Sequence, residues 1–450
     1  MTNAATRVVS IALCAVLAAC MSACMTDNAD ALLRLPNPPK VFDSLQKKVD
    51  ALLNAGGEYA PPQGGRNRQV FQTYDLTADG LEEALVFMRF PREEKPLRIY
   101  IFRLADGDYC EMGFIAEDAE TIDVVRYADV DGDGSPELVV GWQVGNVLKT
   151  LTAYSFAEDG FLEILSAGYS YYNLLDMRES GQNDIIVINH DQMNLTGGAE
   201  MHWFEDGEAR VTPQVPLSKG IQSVKRVLSG RLADGNMAVY VASLTEQNAY
   251  VTDILTCRDG QFFNVSLNPL TGISDETVRY KRLMADDLND DGIVCVPRLT
   301  PLPGHDDSPD NTEFWLTEWR TYDSYGRVTN LISTYYNLTD GWYIHLPEEW
   351  KSNFTVTSRE TSVTMSAVTL AYTDGAGAVA ELCVVYAVTG YNRASLAVVE
   401  DRFLIDSGAT DVVFAGKMLP GAESAPFELD AETLKEMFRV IDNAWITGEV

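Results

Sequence analysis

The feature that most constrains this chain is a pattern that returns every 47 to 57 residues. Each copy holds an apolar stretch, a short loop with glycine and acidic residues, and a second apolar stretch. The five loops begin at Asp75, Asp129, Asp176, Gly230 and Asp287. Short apolar runs separated by Asp-Gly turns are typical of strands joined by hairpins. A period of this length predicts one small sheet per copy, repeated along the chain.

A second turn signal in each copy doubles the number of strands. The five signals are Ala105-Asp106-Gly107, Glu158-Asp159-Gly160, Glu205-Asp206-Gly207, Arg258-Asp259-Gly260 and Asp323-Ser324-Tyr325-Gly326. Each lies between two further apolar runs, so each copy holds four strands, as a propeller blade does. We therefore predict a mainly β chain: a β-propeller of about five four-stranded blades, with six or seven blades as the alternative.

Residues 68–341 carry this pattern, and different segments flank it. Residues 20–67 combine a Pro-rich tether, a short amphipathic helix over residues 41–54 and a Gly-rich linker. After residue 342 the period is lost. Strand-like runs there are followed by a helical pattern from Ala431 to about Trp445, which Asp430 can cap. We predict a small α+β domain over residues 342–450.

Residues 1–19 have the organisation of an export signal. Arg7 precedes an apolar stretch of about ten residues, which is too short to span a bilayer. The stretch ends in Leu17-Ala18-Ala19-Cys20, which resembles the lipobox of bacterial lipoproteins. The resemblance implies that Cys20 is lipidated and anchors the chain on the extracytoplasmic face of the cell membrane. The simpler alternative is an ordinary secretory signal with an incidental cysteine.

The formal net charge of −32 restricts the partners of the chain. A nucleic acid backbone is repelled by such a surface, so we expect no nucleic acid partner. Most of the carboxylates are expected to lie on a solvated surface and in turns. The remaining question is whether some of them hold cations.

The second loop has the strongest cation-binding pattern. Its oxygen donors alternate along the chain: Asp129, Asp131, Asp133, the main-chain carbonyl of Ser135, and Glu137. Glycines between them permit the sharp turn that directs the donors inward. Ca²⁺ accepts six to eight oxygen ligands in flexible geometry, so a short loop completed by water can satisfy it. The loop therefore predicts a structural calcium site.

The segment over residues 129–141 resembles the core motif of FG-GAP/VCBS repeats, which occur in integrin α-type β-propellers and in many bacterial surface proteins. In that family the loop joins two strands of a blade and binds calcium. The resemblance extends over roughly residues 68–340. It implies further ligands in the first and fifth loops: Asp75, Thr77, Asp79 and Glu83, and Asp287, Asn289 and Asp291. Cys295 stands where the fifth loop would need its ninth-position acid.

The third and fourth loops depart from the pattern. Arg178 occupies a ligand position in the third loop, where its charge can replace the cation, and the fourth loop keeps only Asp234. We expect no metal in either. The alternative for all five loops is that they are hairpin turns only, because Asp and Gly favour turns for local reasons.

No catalytic constellation stands out in the sequence, and we expect a binding protein rather than an enzyme. The expected function is a lipid-anchored extracytoplasmic scaffold with structural calcium sites. Its partner would be a surface protein, a glycan or an envelope component. The alternatives are a propeller-type enzyme acting on polysaccharide or phosphoester, and an assembly factor for a membrane complex.

Overall fold

The computed structural model describes residues 41–145, 148–157, 160–305, 314–375, 378–406 and 411–441. The predicted export signal and Cys20 lie outside the described residues. The described α-helices are α1 (Val41–Asn54), α2 (Arg393–Leu396) and α3 (Ala431–Met437), and short 3-10 helices cover Asp275–Thr277, Glu348–Trp350 and Pro420–Ser424. Among them, none combines the length and the apolar composition that a membrane span requires.

The described strands form six antiparallel sheets that follow one another along the chain. The first sheet contains β1 (Glu58–Tyr59), β2 (Phe71–Tyr74), β3 (Glu83–Arg89), β4 (Leu97–Ala105) and β5 (Asp108–Glu117). The second contains β6 (Thr121–Ala128), β7 (Glu137–Gln143), β8 (Lys149–Ala157) and β9 (Gly160–Tyr169). The third contains β10 (Tyr171–Leu175), β11 (Asp184–Asp191), β12 (Thr196–Glu205), β13 (Glu208–Val211) and β14 (Val215–Pro216).

The remaining three sheets continue the same plan. The fourth contains β15 (Ile221–Arg231), β16 (Met237–Thr245), β17 (Tyr250–Arg258) and β18 (Gln261–Asn264). The fifth contains β19 (Val296–Pro301), β20 (Trp315–Tyr322), β21 (Val328–Asn337), β22 (Trp342–Leu346) and, from the C-terminal end, β28 (Phe438–Val440). The sixth contains β23 (Phe354–Thr361), β24 (Met365–Thr373), β25 (Val379–Thr389), β26 (Phe403–Asp406) and β27 (Val412–Met418).

The chain divides into two compact units. The first comprises residues 41–61, 69–75 and 80–118 of the described chain, and the second comprises residues 62–68, 76–79 and 119 onward. In the first unit, Leu45 and Val49 of α1 are buried against the first sheet, where they meet Val86, Met88 and Phe102. The helix therefore covers one face of that sheet with its apolar side.

In the second unit, each sheet packs on the next through a shared apolar core. Val139 and Leu151 of the second sheet meet Val187 of the third, and Tyr240 of the fourth meets Val296 of the fifth. Comparable clusters join the third sheet to the fourth and the fifth to the sixth. Serial antiparallel sheets of four or five strands that pack face to face have the architecture of propeller blades. The predicted fold class, mainly β and of propeller type, is confirmed.

The described sheets number six rather than the expected five, which matches the stated alternative. The sixth sheet lies in the predicted C-terminal α+β region. The boundary expected at residue 342 falls inside the fifth sheet, because β22 pairs with β21 on one side and with β28 on the other. The terminal helix ends at Met437, and Phe438 stacks on buried Trp342 with ring centroids 5.6 Å apart. A short strand over Phe438–Val440 thus replaces that part of the predicted helix, and residues 442–445 of the prediction lie outside the described residues.

Candidate cation site

The loop between β6 and β7 is held in shape by its own first aspartate. Oδ1 of Asp129 accepts a hydrogen bond from the Gly132 amide at 2.7 Å, and Oδ2 accepts one from the Gly134 amide at 3.1 Å. Both glycines have positive φ, +80° and +92°, a conformation that other residues adopt at a cost. The sequence pattern therefore produces a turn that curls around the Asp129 carboxylate.

Glu137 lies at the first position of β7 and is fully buried. Its Oε2 accepts hydrogen bonds from the amides of Val130 at 2.8 Å and Asp131 at 3.3 Å. Its Oε1 is also buried and has no hydrogen-bond partner. Burial, together with the charges of Asp131 and Asp133, raises the pKa of Glu137 to about 7, although the two amide bonds lower it. A buried carboxylate oxygen without a partner is costly unless a cation or a proton satisfies it.

The carboxylate oxygens of Asp129, Asp131 and Glu137 lie within 4.8 Å of one another. Within the described part of the chain, this is the one group of three or more potential metal-ligating side chains that comes so close together. Asp133 is exposed and accepts a hydrogen bond from the Ser135 amide at 2.6 Å. Three of the four predicted carboxylate donors therefore converge. An all-oxygen set with one unsatisfied buried oxygen fits a hard cation such as Ca²⁺.

The equivalent acid in two other loops has an arginine beside it. In the first sheet, Glu83 is fully buried and its Oε1 lies 3.5 Å from Nε of Arg103. In the third sheet, Asp184 is fully buried and its Oδ1 lies 2.7 Å from Nε of Arg178. Among the described residues, Glu137 forms no such ion pair. The second loop thus repeats the buried acid of its neighbours without the side-chain cation.

The donors predicted for the first loop belong to both compact units. Asp75 and Glu83 belong to the first compact unit, whereas Thr77 and Asp79 belong to the second. Oδ2 of Asp75 accepts a hydrogen bond from the Gly80 amide at 2.9 Å, which repeats the turn of the second loop. Calcium at this loop stays a prediction.

The fifth loop retains the turn around its first aspartate but lacks the buried acid of the second loop. Oδ2 of Asp287 accepts a hydrogen bond from the Gly292 amide, and Nδ2 of Asn289 donates to Asp291 at 3.0 Å. Cys295 is fully buried where the second loop has Glu137. Burial, with the charges of Asp291, Asp287 and Asp286, raises the pKa of the Cys295 thiol to about 12. The buried donor at this position is therefore a neutral thiol.

Most of the predicted loops occupy equivalent places. The loops that begin at residues 129, 176 and 230 join the first and second strands of their sheets, and the loop that begins at residue 75 joins the paired strands β2 and β3 of the first sheet. The fifth loop follows a first strand reduced to one bridge, between Asp286 and Cys295. In the fourth loop, Asp234 accepts hydrogen bonds from the amide and hydroxyl of Ser324, at 2.9 and 2.6 Å. The Asp234 carboxylate thus binds the hairpin between β20 and β21 of the fifth sheet.

The second loop is also hydrogen-bonded to the third loop. The main-chain carbonyl of Asp129 accepts a hydrogen bond from the Asn183 amide at 2.9 Å. A Cβ atom added to Gly132 would lie 2.2 Å from Oε1 of Gln182, whose amide nitrogen donates to the Phe204 carbonyl at 2.8 Å. The candidate site therefore lies in a joint between two sheets.

Sequence analysis did not single out Asp184, Gln182 or Asn183. Asp184 could have been found, because it follows Asp176 by the same eight positions that separate Asp129 from Glu137. Gln182 and Asn183 carry no local signal, since their role depends on how two sheets stack.

Comparison with known proteins identifies no family. No protein-family model matches the sequence, and no curated protein matches it. Similar solved structures include an α-L-arabinanase from Penicillium chrysogenum, at 13% identity and TM-score 0.27, with 80% of this chain and 96% of that chain covered. An exo-β-1,3-galactanase from Clostridium thermocellum has 10% identity and TM-score 0.26, with 82% of each chain covered. An α-L-arabinofuranosidase from Fusarium graminearum has 10% identity and TM-score 0.28, with 80% and 96% covered.

These comparisons contradict the expected function. We expected a lipid-anchored binding scaffold, but the named enzymes among the similar structures act on polysaccharides, in line with the enzyme alternative. The scaffold expectation is therefore corrected. At 10 to 13% identity and TM-scores of 0.26 to 0.28, the similarity carries neither a substrate nor a catalytic residue over to this chain.

Proposed function

We propose that this chain binds one Ca²⁺ ion in the loop over residues 129–137, and that the ion stabilises the joint between the second and third sheets. The observation that carries the proposal is the buried Oε1 of Glu137, which has no hydrogen-bond partner. It lies beside two further carboxylates, Asp129 and Asp131. Three carboxylates held this close repel one another unless a cation lies between them.

The corresponding loops of the first and third sheets support the need for positive charge beside the buried acid. Glu83 has Arg103 beside it, and Asp184 has Arg178. Arg178 is the third residue of its loop, and Asp131 is the third residue of the loop beginning at Asp129. The second loop therefore has an acid where the third loop has the permanent cation of an arginine. This leaves room for a bound metal ion in the second loop.

Calcium suits this loop better than magnesium. Ca²⁺ accepts six to eight oxygens at variable angles, including main-chain carbonyls and water, whereas Mg²⁺ requires a near-octahedral set and retains several waters. Asp129, Asp131 and Glu137 would supply carboxylate oxygens, with Asp133, the Ser135 carbonyl and water as the remaining candidates. This assignment agrees with the FG-GAP/VCBS resemblance, which we retain as part of the proposal.

A matched pair of variants tests the proposal by calorimetric titration with CaCl₂ after treatment with EDTA. Asp129→Asn and Asp176→Asn each change a first-position aspartate that accepts the glycine amide five residues later, at 3.1 and 2.8 Å. We expect Asp129→Asn to weaken calcium binding at least tenfold and Asp176→Asn to leave it unchanged. Equal effects of the two substitutions, or no calcium binding by the parent protein, would refute the assignment.

Export and lipidation at Cys20 form the second part of the proposal, which the Leu17-Ala18-Ala19-Cys20 motif supports. The anchor would place the loop on the extracytoplasmic side of the membrane. Metabolic labelling with a fatty acid tests this in a bacterial host. The parent protein should be labelled and Cys20→Ser unlabelled, while labelling of both variants would point to another attachment site.

An enzyme acting on polysaccharide is the second candidate function. It is the alternative that the sequence left open, and it is the class of the named enzymes with similar structures. Incubation of the calcium-loaded protein with arabinan and galactan, followed by an assay for new reducing ends, tests it directly. Release of sugars that persists through purification to homogeneity would establish the activity. If neither polymer releases sugars, arabinan and galactan are excluded as substrates.

A further inference from the structure

A cleft lies beside the segment that connects β27 to α3. Its volume is about 600 Å³, and residues 418–430 supply its lining. Three of the lining side chains are acidic, Glu423, Glu428 and Asp430, and the others are apolar, among them Phe427 and Leu429. The size is that of a ligand site, and its charged lining residues are all negative.

Residues 425–430 are extended, although no described strand includes them. The main chain has extended torsion angles at both ends of this segment, with φ −68° and ψ 150° at Ala425 and φ −123° and ψ −174° at Asp430. Exposure alternates along it, because Phe427 and Leu429 are covered while Glu428 and Asp430 are exposed. A period of two residues is that of a β-strand.

Packing holds this segment in place. The ring of Phe427 stacks on Trp350 with centroids 3.9 Å apart, and it lies edge-on to Tyr372 at 5.6 Å. At the other end, the Asp430 carboxylate accepts the Thr433 amide at 2.8 Å and caps α3. The wall of the cleft is therefore formed before any ligand arrives, which lowers the entropic cost of binding.

The main chain of this segment lacks partners within the described part of the chain. The Ala425 amide donates to the Ala422 carbonyl at 3.4 Å, and the Asp430 carbonyl accepts the Leu434 amide at 3.0 Å. Between these two bonds, no hydrogen bond from a described residue reaches the main chain of residues 427–429. Such a segment is comparable to the edge of a sheet, which a strand from another chain can extend.

The charge of the cleft restricts the side chains that such a strand can carry. Glu423 and Glu428 are exposed, and neither forms an ion pair with a described residue. A second cleft of about 530 Å³ shares Leu419 and Pro420 with the first, and its charged lining residue is again an acid, Glu381. A strand with basic side chains complements this surface, whereas an acidic strand is repelled.

We propose that the cleft binds an extended peptide segment of a partner protein, in which lysine or arginine alternates with apolar residues. The main chain of the peptide would pair with residues 427–429, and its basic side chains would lie beside Glu423 and Glu428. In this mode of recognition, main-chain hydrogen bonds supply affinity and alternate side chains supply specificity. The site shares no residue with the proposed calcium loop, so the two proposals can fail separately.

Fluorescence anisotropy with the full chain tests the proposal, with a labelled peptide of alternating lysine and valine, six residues long, as the probe. We expect saturable binding. Glu423→Gln combined with Glu428→Gln should weaken it about fivefold or more, because two opposite charges are removed. Glu360→Gln combined with Glu436→Gln makes the same charge change at exposed positions outside both clefts and should change the affinity less than about twofold.

A second peptide separates strand addition from attraction between charges alone. Methylation of every main-chain nitrogen keeps the side chains and the charge but removes the main-chain donors, so we expect this peptide not to bind. Equal binding of the methylated peptide, equal losses in the two double variants, or no binding of the unmethylated probe at millimolar concentration would overturn the proposal.

Discussion

Nε of Arg178 lies 2.7 Å from Oδ1 of Asp184, both in the loop that repeats the candidate cation site one sheet further along the chain. The same carboxylate accepts the amides of Met177 and Arg178 at 2.9 and 3.1 Å. Glu137 accepts the amides of Val130 and Asp131 in the same way. The two loops therefore share their main-chain framework and differ in the source of positive charge. In one it is an arginine, and in the other we propose calcium.

The first prediction concerns conversion of the third loop, which contains an arginine, to the acidic type of the second loop. Arg178→Asp should remove the side-chain cation and leave Asp184 as an unpaired buried acid. In EDTA we expect a loss of about 3–5 kcal/mol of unfolding free energy, which is typical of a broken buried ion pair. With calcium the loss should be partly recovered, and titration calorimetry should show one additional site. Arg210→Asp, the same charge change at a more exposed arginine, is the control and should add no site.

The second prediction concerns the glycines of the loop. Gly132→Ala and Gly134→Ala both place alanine at positive φ, which costs about 1–3 kcal/mol. Only the Cβ of residue 132 would collide with Gln182, at 2.2 Å, because nothing lies within 4 Å of the corresponding atom at residue 134. Gly132→Ala should therefore lower Tm more than Gly134→Ala does. Addition of Gln182→Ala should recover part of the difference, and no recovery would place the strain elsewhere.

The third prediction concerns pH. Burial raises the pKa of Glu137 to about 7 in the cation-free protein, above its ordinary value of 4.5. A carboxyl with a raised folded-state pKa contributes stability in full below about pH 4.5, and this contribution is lost as the pH rises toward 7. Calcium binds the ionised form, so its stabilising effect should be small at pH 5 and full at pH 8. The Tm difference between calcium and EDTA measures this effect, and Glu137→Gln should weaken it at both pH values.

The fourth prediction concerns the C-terminal strand. Phe438 is buried against Trp342 and Phe414, with centroids 5.6 and 5.1 Å away. Phe438→Ala should cost about 3–5 kcal/mol through loss of packing and the cavity that remains. The nearby Arg439→Ala should cost much less, because that side chain is exposed. Chemical denaturation monitored by tryptophan fluorescence compares the two, and equal costs would argue against the pairing of β28 with β22.

The sequence predicted what depends on local chemistry. Hairpins with Asp-Gly turns, the four-stranded copies and the turn around Asp129 all follow from residues close together in the chain. The sixth sheet was hidden because its first hairpin, between β23 and β24, turns at Ser362-Val363-Thr364 without the acidic loop. The first strand of the fifth copy is difficult to recognise from the sequence, because it is reduced to the bridge between Asp286 and Cys295.

What the sequence could not supply was the stacking of one sheet on another. The position of Phe438 in a strand depends on a tryptophan almost a hundred residues earlier in the chain. The proximity of Gln182 to Gly132 likewise exists only in the folded molecule. Sequence spacing alone also could not show that three of the four carboxylates converge, because the direction in which Asp133 points is set by its bond to the Ser135 amide.

The most direct test of the calcium site is a crystal structure of the full chain grown with calcium, with diffraction data collected at a long wavelength. We predict one anomalous peak in the loop over residues 129–137, about 2.3–2.6 Å from Oε1 of Glu137 and also coordinated by Asp129 and Asp131. No peak at saturating calcium, with Oε1 of Glu137 satisfied by a proton or an ordered water instead, would contradict this account.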